Sequence, residues 1–541
     1  MIKKALAKKK LSIIDCTLRD GGYYTDWLFK DSFISSYLKA CSSCSINICE
    51  IGLRQLPETK RFLGPCAFTS ESFLESLEIP SNLDVAVLVN SSDVISNKKK
   101  PLEIISEIFP LPANKSRVKV IRIAASISEL DKLEEITDYL FKLGYYITIN
   151  ILKCHILDKK EINKVMKIIG RLKLNVLYIA DSLGCCFPDD IHRIVANVSE
   201  NFEGPIGIHS HNNKGLALAN TLSAMNAGAT YLDSTILGMG RGAGNTKTEE
   251  LLPIVSNKKI EEYLHLAEFI KEYQEPLKRD KNWGNSIYYS ISSQFNLHPT
   301  FIQEITTESK FAPLNILDFI KNLSTIDSEK FSQSLYDDVI NPYRNVNESN
   351  WNPSVIFKDK EVLMLGSGPS LSLHKGAMER YINKYKPYVL SLNYNKVLES
   401  NMINAYIYSH LVSLLPDLKI IIKSKKPIII PRIDMFGGDL IQKKKNIYQY
   451  GLQVINDFEI LDFHCKLPSS LVLAYSLATC IAGRASKISM CGVDGFKLSD
   501  KRHTEHKEIA NLFINLKTNT KIESLLPSNL GFKINSIYNF V

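Results

Sequence analysis

Eight short apolar segments recur through the first 240 residues of the chain, and each is rich in β-forming side chains. Amphipathic stretches such as Ile127–Leu143 and Asp158–Leu172 lie between them. Near-continuous apolar strands that alternate with helices are typical of a parallel sheet buried on both faces. Eight such units predict a (β/α)8 TIM barrel. The segments are Leu11–Thr17, Ile46–Leu53, Leu83–Val89, Val118–Ala125, Tyr146–Leu152, Val176–Ser182, Pro205–His211 and Tyr231–Leu237.

A second α/β pattern follows in the last 200 residues, as expected for a chain of 541 residues that is too long for one core. The predicted strand Glu361–Leu365 runs into a Gly-rich turn, and further strands alternate with helices after it. This pattern predicts an open, doubly wound, Rossmann-like sheet. We therefore expect a barrel over residues 1–255, a helical extension with a polar linker over 256–345, and a Rossmann-like domain over 346–541.

The composition is that of an ordinary soluble globular protein, with 45% hydrophobic and 23% charged residues. The net charge of +9 is spread over short lysine runs, which favours solvated faces over nucleic-acid binding. Weak attraction to an anionic membrane surface is compatible with this charge. No apolar run reaches the length of a transmembrane helix. Several of the eleven cysteines lie inside apolar segments, which favours reduced thiols and a cytoplasmic location.

Two histidines lie two residues apart at the end of the predicted seventh strand. Because side chains alternate along a strand, His209 and His211 point the same way. Such a pair can grip one divalent ion together with a carboxylate such as Asp20, and leave coordination sites open for a substrate. The pattern alone is weak, since two surface histidines would give it equally well.

Further polar residues stand at or near the ends of other predicted barrel strands. Glu50 lies in the second strand, Asp181 closes the sixth and Asn245 follows the eighth. Chemistry in such barrels occurs at the carboxyl ends of the strands, so these groups should meet at one mouth. For Asp15 and Asp181, capping of a strand end is an equally good interpretation.

Taken together and in order, five motifs resemble the HMG-CoA-lyase-like family of metal-dependent barrels. That family includes HMG-CoA lyase, 4-hydroxy-2-oxovalerate aldolase, isopropylmalate synthase and homocitrate synthase. The resemblance covers roughly residues 10–250. Its motifs are Asp15-Cys-Thr-Leu-Arg19-Asp20-Gly21, Glu50-Ile-Gly52, Asp181-Ser182-Leu-Gly184, His209-Ser-His211-Asn212-Asn213 and Gly238-Met-Gly240-Arg-Gly242-Ala-Gly244-Asn245.

The resemblance implies a metal site and a substrate pocket. Asp20, His209 and His211 would be the ligands of Mn²⁺ or Mg²⁺, with Zn²⁺ as a third candidate, and Asn245 would be a further ligand or lie beside them. The implied pocket residues are Asp181, Ser182, Gly240 and Gly242.

The implied chemistry needs an enolate stabiliser and a proton carrier. Arg19 would stabilise the enolate oxygen, and Glu50 would be an acid/base group or support the site. The histidine that follows the R-D-G motif in 4-hydroxy-2-oxovalerate aldolases is missing here. Tyr23 and His155 are candidates for proton transfer in its place, together with Tyr24 and Lys153.

The second half resembles, more loosely, bacterial CMP-sialic-acid-dependent sialyltransferases and related nucleotide-binding domains. A Gly-rich turn after a strand can hold phosphate on backbone N–H groups, although a tight strand-to-helix turn gives the same sequence. The residues of this implied nucleotide or nucleotide-sugar site are Gly366, Gly368, Ser370, Asn393 and Asp494.

The leading hypothesis is an aldolase or lyase that acts through the enolate of a 2-oxo acid such as pyruvate, with an aldehyde as partner. An acyl-CoA Claisen-condensing synthase is the alternative within the family. A glycosyltransferase with an accessory barrel, and a non-catalytic binding role for the tail, are further alternatives. The combined resemblances suggest surface-polysaccharide biosynthesis and a homo-oligomeric enzyme.

Overall fold

The computed structural model describes residues 11–44, 46–56, 62–256, 258–307, 313–341, 343, 349–432, 446–496 and 501–541. The chain divides into two compact units, one of Met1–Glu308 with Ser328–Lys330 and one of Ser309–Asp327 with Phe331–Val541. The segment predicted as a helical extension is thus shared between the two units. The predicted extension and linker over 256–345 lies partly outside the described residues.

Eight parallel strands close into a barrel in the first unit, which confirms the predicted (β/α)8 fold. Each strand lies within one predicted apolar segment, except that the third strand ends one residue beyond its segment, at Asn90. The strands are β1 (Ser12–Asp15), β2 (Ile48–Leu53), β3 (Asp84–Asn90), β4 (Val118–Ala125), β5 (Tyr146–Ile151), β6 (Val176–Asp181), β7 (Ile206–Ser210) and β8 (Tyr231–Ser234).

Helices follow the strands and continue after the barrel. Those of the first unit are Thr17–Thr25, Asp31–Ser43, Glu71–Glu75, Ser91–Ile95, Pro101–Ile108, Glu134–Lys142, Lys159–Ile169, Pro188–Ser199, Ala217–Ala227, Thr248–Val255, Leu264–Phe269, Glu275–Lys281, Ile287–Ser292 and Pro299–Thr307. Their apolar faces pack on the outside of the barrel; in Lys159–Ile169, for example, Ile162, Val165 and Ile169 are buried.

The interior of the barrel is a packed apolar core that also contains the charged side chain of Arg122. Ile14, Val120 and Tyr178 belong to an apolar cluster inside the strands. Arg122 of β4 is fully buried, and its guanidinium carbon lies 4.5 Å from the centre of the Tyr178 ring. Because a buried charge is stable only when it is paired, carboxylates are expected next to this arginine within the barrel.

Arg122 finds two such partners. Its Nη2 donates a hydrogen bond of 2.5 Å to Oδ2 of Asp233 on β8. Its Nη1 lies 3.3 Å from Oε2 of Glu50 on β2. All three side chains are almost completely buried, so one arginine ties together strands that are far apart in the sequence.

A glycine is required where β2 carries an irregularity beside β3. The pairing register shifts between Glu50 and Gly52. A Cβ on Gly52 would lie 1.7 Å from the backbone oxygen of Cys66, so any side chain there would displace backbone.

The second unit contains a nine-stranded sheet in the order β14-β15-β13-β12-β11-β10-β9-β16-β17. All neighbouring strands are parallel except β14, which is antiparallel to β15. This sheet agrees with the predicted second α/β domain. Its strands are β9 (Glu361–Leu365), β10 (Tyr388–Leu392), β11 (Ala405–Ile407), β12 (Ile428–Pro431), β13 (Ile447–Val454), β14 (Glu459–Ile460), β15 (His464–Leu467), β16 (Lys487–Cys491) and β17 (Lys521–Ser524).

Both faces of this sheet are covered. Val362 and Met364 of β9 belong to one apolar cluster, whereas Leu363 and Leu365 belong to another on the opposite face. The helices of this unit are Pro313–Leu323, Gln333–Ile340, Ser354–Phe357, Pro369–Leu373, Lys375–Tyr385, Leu411–Leu414, Leu418–Lys423, Val472–Ala482 and Lys501–Ile514. Among the described residues of the whole chain, no helix has the length and apolarity needed to cross a bilayer.

We expect Arg122→Met to lower the free energy of unfolding of the barrel by about 3–5 kcal/mol, because two buried carboxylates lose their shared partner. Urea denaturation followed by tryptophan fluorescence measures this loss.

Arg171→Met is the matched control, because Arg171 pairs with Asp131 on the surface with 53% of its side chain exposed. This control should cost less than about 1 kcal/mol. An Arg122→Met protein as stable as the control would contradict the pairing role.

Candidate active site

The site forms where β1 and β7 end. Asp20 lies in the first turn of the helix that follows β1, and His209 lies on β7 with His211 directly after the strand. Oδ2 of Asp20 is 3.4 Å from Nε2 of His209. The two imidazole rings lie 5.1 Å apart, at 78° to each other. The three side chains predicted as metal ligands therefore gather in one buried place.

Asn245 joins this group from the turn after β8. Its amide nitrogen lies 3.1 Å from Nε2 of His209. Its backbone pairs with that of His211 in an isolated antiparallel β-bridge. The turn comes this close because Gly240 has no side chain. A Cβ there would lie 1.9 Å from Oδ1 of Asn245 and 3.3 Å from Cβ of Asp20.

Three of these four side chains present a buried polar atom that finds no hydrogen-bond partner among the described residues. The atoms are Oδ2 of Asp20, Nδ1 of His211 and Oδ1 of Asn245. Buried polar atoms are almost always satisfied, so unpaired atoms of this kind point to a missing ligand. Carboxylate, imidazole and amide oxygen are also donors that suit a divalent cation, and the residues therefore fit such an ion.

Asp233 orients His209 from behind. Its Oδ2 is 2.8 Å from Nδ1 of the ring, which turns Nε2 toward Asp20 and Asn245. A carboxylate on the far nitrogen is the usual support of a metal-binding histidine. Burial by itself would raise the pKa of Asp233, but the Arg122 guanidinium and His209 outweigh it and lower the pKa.

Arg19 is held between two carboxylates at the edge of the group. Its Nε donates to Oε2 of Glu50 at 2.7 Å, and its Nη1 donates to Oδ1 of Asp20 at 2.5 Å. Burial works against the charge on the guanidinium, but Asp20 and Glu50 outweigh burial and raise the pKa of Arg19. A fixed, protonated guanidinium thus stands beside Asp20.

The buried charges do not balance. Two guanidiniums, of Arg19 and Arg122, face three carboxylates, of Asp20, Glu50 and Asp233. The formal sum is minus one, before any histidine is protonated. A divalent cation would reverse this sign and leave the site attractive to an anionic substrate.

Glu50 contacts both arginines through the same oxygen, Oε2, and its Oε1 has no partner among the described residues. The two guanidiniums fix the orientation of this carboxylate. Its predicted role in acid/base chemistry stays a prediction, and its contacts favour a supporting role.

In the described part of the chain, no carboxylate supports His211 in the way that Asp233 supports His209. Burial is the main reason why the pKa of His211 lies well below its ordinary value, and the charge of Arg241 adds to it. Cys16, which the sequence reasoning did not include, offers a thiol within 4.8 Å of the ligand atoms of Asp20 and His209. Its sulfur accepts a hydrogen bond from Nη1 of Arg122 at 3.2 Å.

Tyr23 and Arg241 lie together near the site. The guanidinium carbon of Arg241 is 5.7 Å from the centre of the Tyr23 ring, and Nη2 of Arg241 donates to the backbone oxygen of Ser182. Arg241 also contacts His298, with 3.4 Å between Nη1 and Nε2. Burial first, and then the charges of Arg241 and Lys153, lower the pKa of His298 well below its ordinary value.

His298 is a second residue that the sequence reasoning missed. It lies just before the helix Pro299–Thr307, outside the barrel motifs, so no motif could point to it. It contacts Arg241, whose charge helps to lower the pKa of His211.

His155 is placed in different surroundings. Its Nε2 lies 3.3 Å from Oε1 of Glu329, and Lys153 pairs with the same glutamate at 3.1 Å. Burial would lower the pKa of His155, but contacts with Cys185 and Glu329 outweigh burial and raise it. No described contact joins His155 to Asp20 or His209.

Asp181 behaves as the cap of its strand end. Its two carboxylate oxygens accept backbone N–H groups of Cys185 and Cys186, and Asn220 donates to Oδ2 at 3.5 Å. Burial raises its pKa. Asp15 is likewise occupied, by Thr17, Tyr37 and Thr248.

The remaining predicted pocket residues line the same loops. The Ser182 hydroxyl accepts the backbone N–H of Lys153 at 3.1 Å. The backbone oxygen of Gly242 accepts the Tyr24 hydroxyl at 2.8 Å, and its N–H donates to Gln303. Their predicted contact with substrate stays a prediction.

The five residues predicted for a nucleotide site lie in the second unit. The turn after β9 is tight, since Gly366 N–H donates to Cys491 and Gly368 N–H donates to Gly492. The Asp494 carboxylate accepts both the backbone N–H and the hydroxyl of Ser370.

Two asparagines follow β10 beside this turn. Asn393 has a positive φ of 62°, and its N–H donates to the backbone oxygen of Ile407. Asn395, which the sequence reasoning did not include, donates to the backbone oxygen of Gly366 at 2.9 Å.

The barrel is similar in sequence to known proteins. The family model described as HMGL-like matches residues 113–307. A 4-hydroxy-2-oxovalerate aldolase of Pelotomaculum thermopropionicum is 29% identical over 252 residues, which cover 46% of this chain and 70% of the relative. The corresponding protein of Geobacillus genomosp. 3 is 27% identical over 267 residues, or 49% and 76% of the two chains.

An oxaloacetate decarboxylase of Mycobacterium tuberculosis is 24% identical over 249 residues, which cover 46% of this chain and 70% of the relative. The residues matched by the family model include β5 to β8 and the predicted ligands His209, His211 and Asn245. The N-terminal half of this chain is therefore a barrel similar to aldolases and lyases of the HMGL-like family.

Proposed function

We propose that the barrel is a divalent-metal-dependent aldolase that makes or breaks the carbon–carbon bond next to the keto group of a 2-oxo acid such as pyruvate, with an aldehyde as partner. The observation that carries this proposal is that buried polar atoms of Asp20, His211 and Asn245 have no hydrogen-bond partner among the described residues and lie beside the protonated Arg19. When bound there, Mn²⁺ or Mg²⁺ would polarise the keto oxygen of the acid.

Arg19 is the second group, beside the metal ion, that would stabilise the negative oxygen of the enolate. Its guanidinium is already fixed by Glu50 and Asp20, so it needs little reorganisation when negative charge develops on the substrate oxygen. Arg241, which faces the same region, is available to pair with a substrate carboxylate.

A neutral base is also needed near the reacting carbon. His298 meets this requirement because its low pKa keeps the ring neutral, and Tyr23 lies against the same arginine. Glu329 engages His155, which makes His155 the weaker of the two candidates predicted from sequence.

The names of the relatives support this class of reaction. 4-Hydroxy-2-oxovalerate and oxaloacetate are both 2-oxo acids, and cleavage of either leaves the enolate of pyruvate. This shared intermediate favours an aldolase over an acyl-CoA Claisen synthase.

For the second unit we propose binding of a nucleotide or nucleotide sugar at Gly366–Ser370, and with it a role in surface-polysaccharide assembly. Support comes from the position of the turn, which follows β9 where the strand order reverses between β9 and β16. Ligands of doubly wound sheets bind at this reversal. The cytoplasmic location and the homo-oligomeric state stay predictions.

We expect Asp20→Asn to weaken Mn²⁺ binding at least about 100-fold, because it removes a ligand rather than a supporting group. Isothermal titration of Mn²⁺ into the full chain measures the affinity. Asp131→Asn is the control, since its carboxylate pairs with Arg171 on the surface, away from the predicted ligands. Equal Mn²⁺ affinities of the two variants would refute the metal site.

We expect Arg19→Ala to retain Mn²⁺ but to lose about two orders of magnitude in enolate formation, as for one lost oxyanion donor. Exchange of the methyl protons of pyruvate in D2O, followed by NMR, reports this step without an aldehyde. If the Arg19→Ala protein exchanged these protons as fast as the wild type, Arg19 would have no role in enolate formation. The same assay on His298→Asn and Tyr23→Phe tests each base, since exchange is unchanged when the altered residue is not the base.

We expect the full chain to bind CMP, CDP, UDP or GDP, and a ligand at 100 times its dissociation constant should stabilise the second unit by about 2.7 kcal/mol. Thermal-shift titration detects this gain. Gly368→Val should abolish it, since a Cβ at Gly368 would lie 2.6 Å from the Asp494 carboxylate carbon. If none of the four nucleotides shifts the wild-type midpoint, the nucleotide proposal fails while the aldolase proposal stands.

A further inference from the structure

A serine, a histidine and an aspartate meet at one edge of the second sheet, and neither proposed function uses them. Nδ1 of His410 lies 2.5 Å from Oδ2 of Asp318. Nε2 of the same ring lies 3.4 Å from Oγ of Ser470. The ring thus joins a carboxylate on one nitrogen to a hydroxyl on the other, in the order that nucleophilic catalysis by serine requires.

The fold explains why these residues meet. His410 follows the carboxyl end of β11, and Ser470 follows the carboxyl end of β15. Both strands belong to the parallel part of the sheet, so their ends lie at the same edge. Asp318 comes from the helix Pro313–Leu323, and its Oδ1 accepts the backbone N–H of Val412 at 3.0 Å. One oxygen of the carboxylate is therefore fixed by the backbone while the other oxygen contacts the imidazole.

Ser470 occupies a strand–turn–helix junction. β15 ends at Leu467, and an eleven-residue helix begins at Val472. The first turn of that helix has no side-chain cap within the described residues. Its N–H groups and the positive end of its dipole lie next to the serine, where an oxyanion would need stabilising.

The side chains of His410 and Asp318 are mostly buried but keep some exposure to solvent, through which a small ligand could reach them. The side chains of His410 and Asp318 are 14% and 15% exposed. Partial exclusion of water strengthens the hydrogen bond between His410 and Asp318, whereas full burial would prevent a substrate from reaching the hydroxyl.

We propose that Ser470, His410 and Asp318 form a second catalytic site, a serine esterase that acts on carboxylic esters. Ser470 and His410 are the catalytic residues, and Asp318 is a positioning residue that acts through His410. The site lies entirely within the second unit, so it does not depend on the aldolase chemistry of the barrel.

The reaction balances with water as the only co-reactant. The Ser470 oxygen attacks the ester carbonyl while its proton passes to Nε2 of His410. The bond from the carbonyl carbon to the alkoxy oxygen then breaks, and the alcohol leaves with that proton. Water, deprotonated by His410, attacks the acyl-serine, and the acid is released as the serine recovers its proton.

The full chain tests this proposal with two probes, p-nitrophenyl acetate as substrate and a fluorophosphonate that labels activated serines. We expect turnover of the ester and a covalent label on Ser470 by mass spectrometry. Ser470→Ala should remove the label and lower kcat/KM at least about 100-fold. The matched control is Ser469→Ala, whose hydroxyl donates to Glu505 instead, and this variant should keep both signals.

Asp318→Asn tests the positioning role. It should lower kcat with little change in KM, because the ester does not touch the carboxylate, and Asp318→Glu should restore part of the rate. Circular dichroism confirms that each variant is folded. The proposal is overturned if the wild-type chain neither hydrolyses the ester nor takes the label, if the label falls on another serine, or if Ser470→Ala matches the wild type.

Discussion

The first unit depends on one buried ionic contact, in which Arg122 pairs with Glu50 and Asp233 inside the barrel. These charges come from three separate strands, and none is exposed enough to be solvated. Because an unpaired buried charge costs several kcal/mol, each partner fixes the other two. The contact therefore holds the strands in register and at the same time sets the orientation of groups at the carboxyl ends of those strands.

The functional geometry follows from this contact. Asp233 uses the oxygen that faces Arg122 to hold His209, and Glu50 uses its shared oxygen to hold Arg19. The side chains that would bind a cation and an enolate are thus pre-arranged by charges deeper in the barrel. Such pre-organisation is what makes electrostatic stabilisation effective, since the dipoles need not reorient during the reaction.

In the second unit, organisation comes from the parallel sheet rather than from a buried charge. The carboxyl ends of its strands bring loops to one edge, where the Asp494 carboxylate occupies the backbone N–H of Ser370. A phosphate at the Gly-rich turn would have to compete with this carboxylate. The same edge brings together His410 and Ser470, which are 60 residues apart. Both candidate sites of the second unit therefore arise because the carboxyl ends of parallel strands lie at one edge of the sheet.

The sequence determined the barrel and the second sheet and predicted the side chains that gather as candidate metal ligands, because apolar periodicity and short motifs are local properties of the chain. It did not reveal β13, β14, β15 and β17, since strands with polar residues such as Gln449, or with only two residues, carry little apolar signal. The charge of Arg122 between apolar neighbours on β4 is the sequence signal that corresponds to this buried pairing. The partners of that arginine, the placement of His298 and the meeting of Asp318 with His410 were decided only by the tertiary structure, because contacts between distant segments depend on how the elements pack.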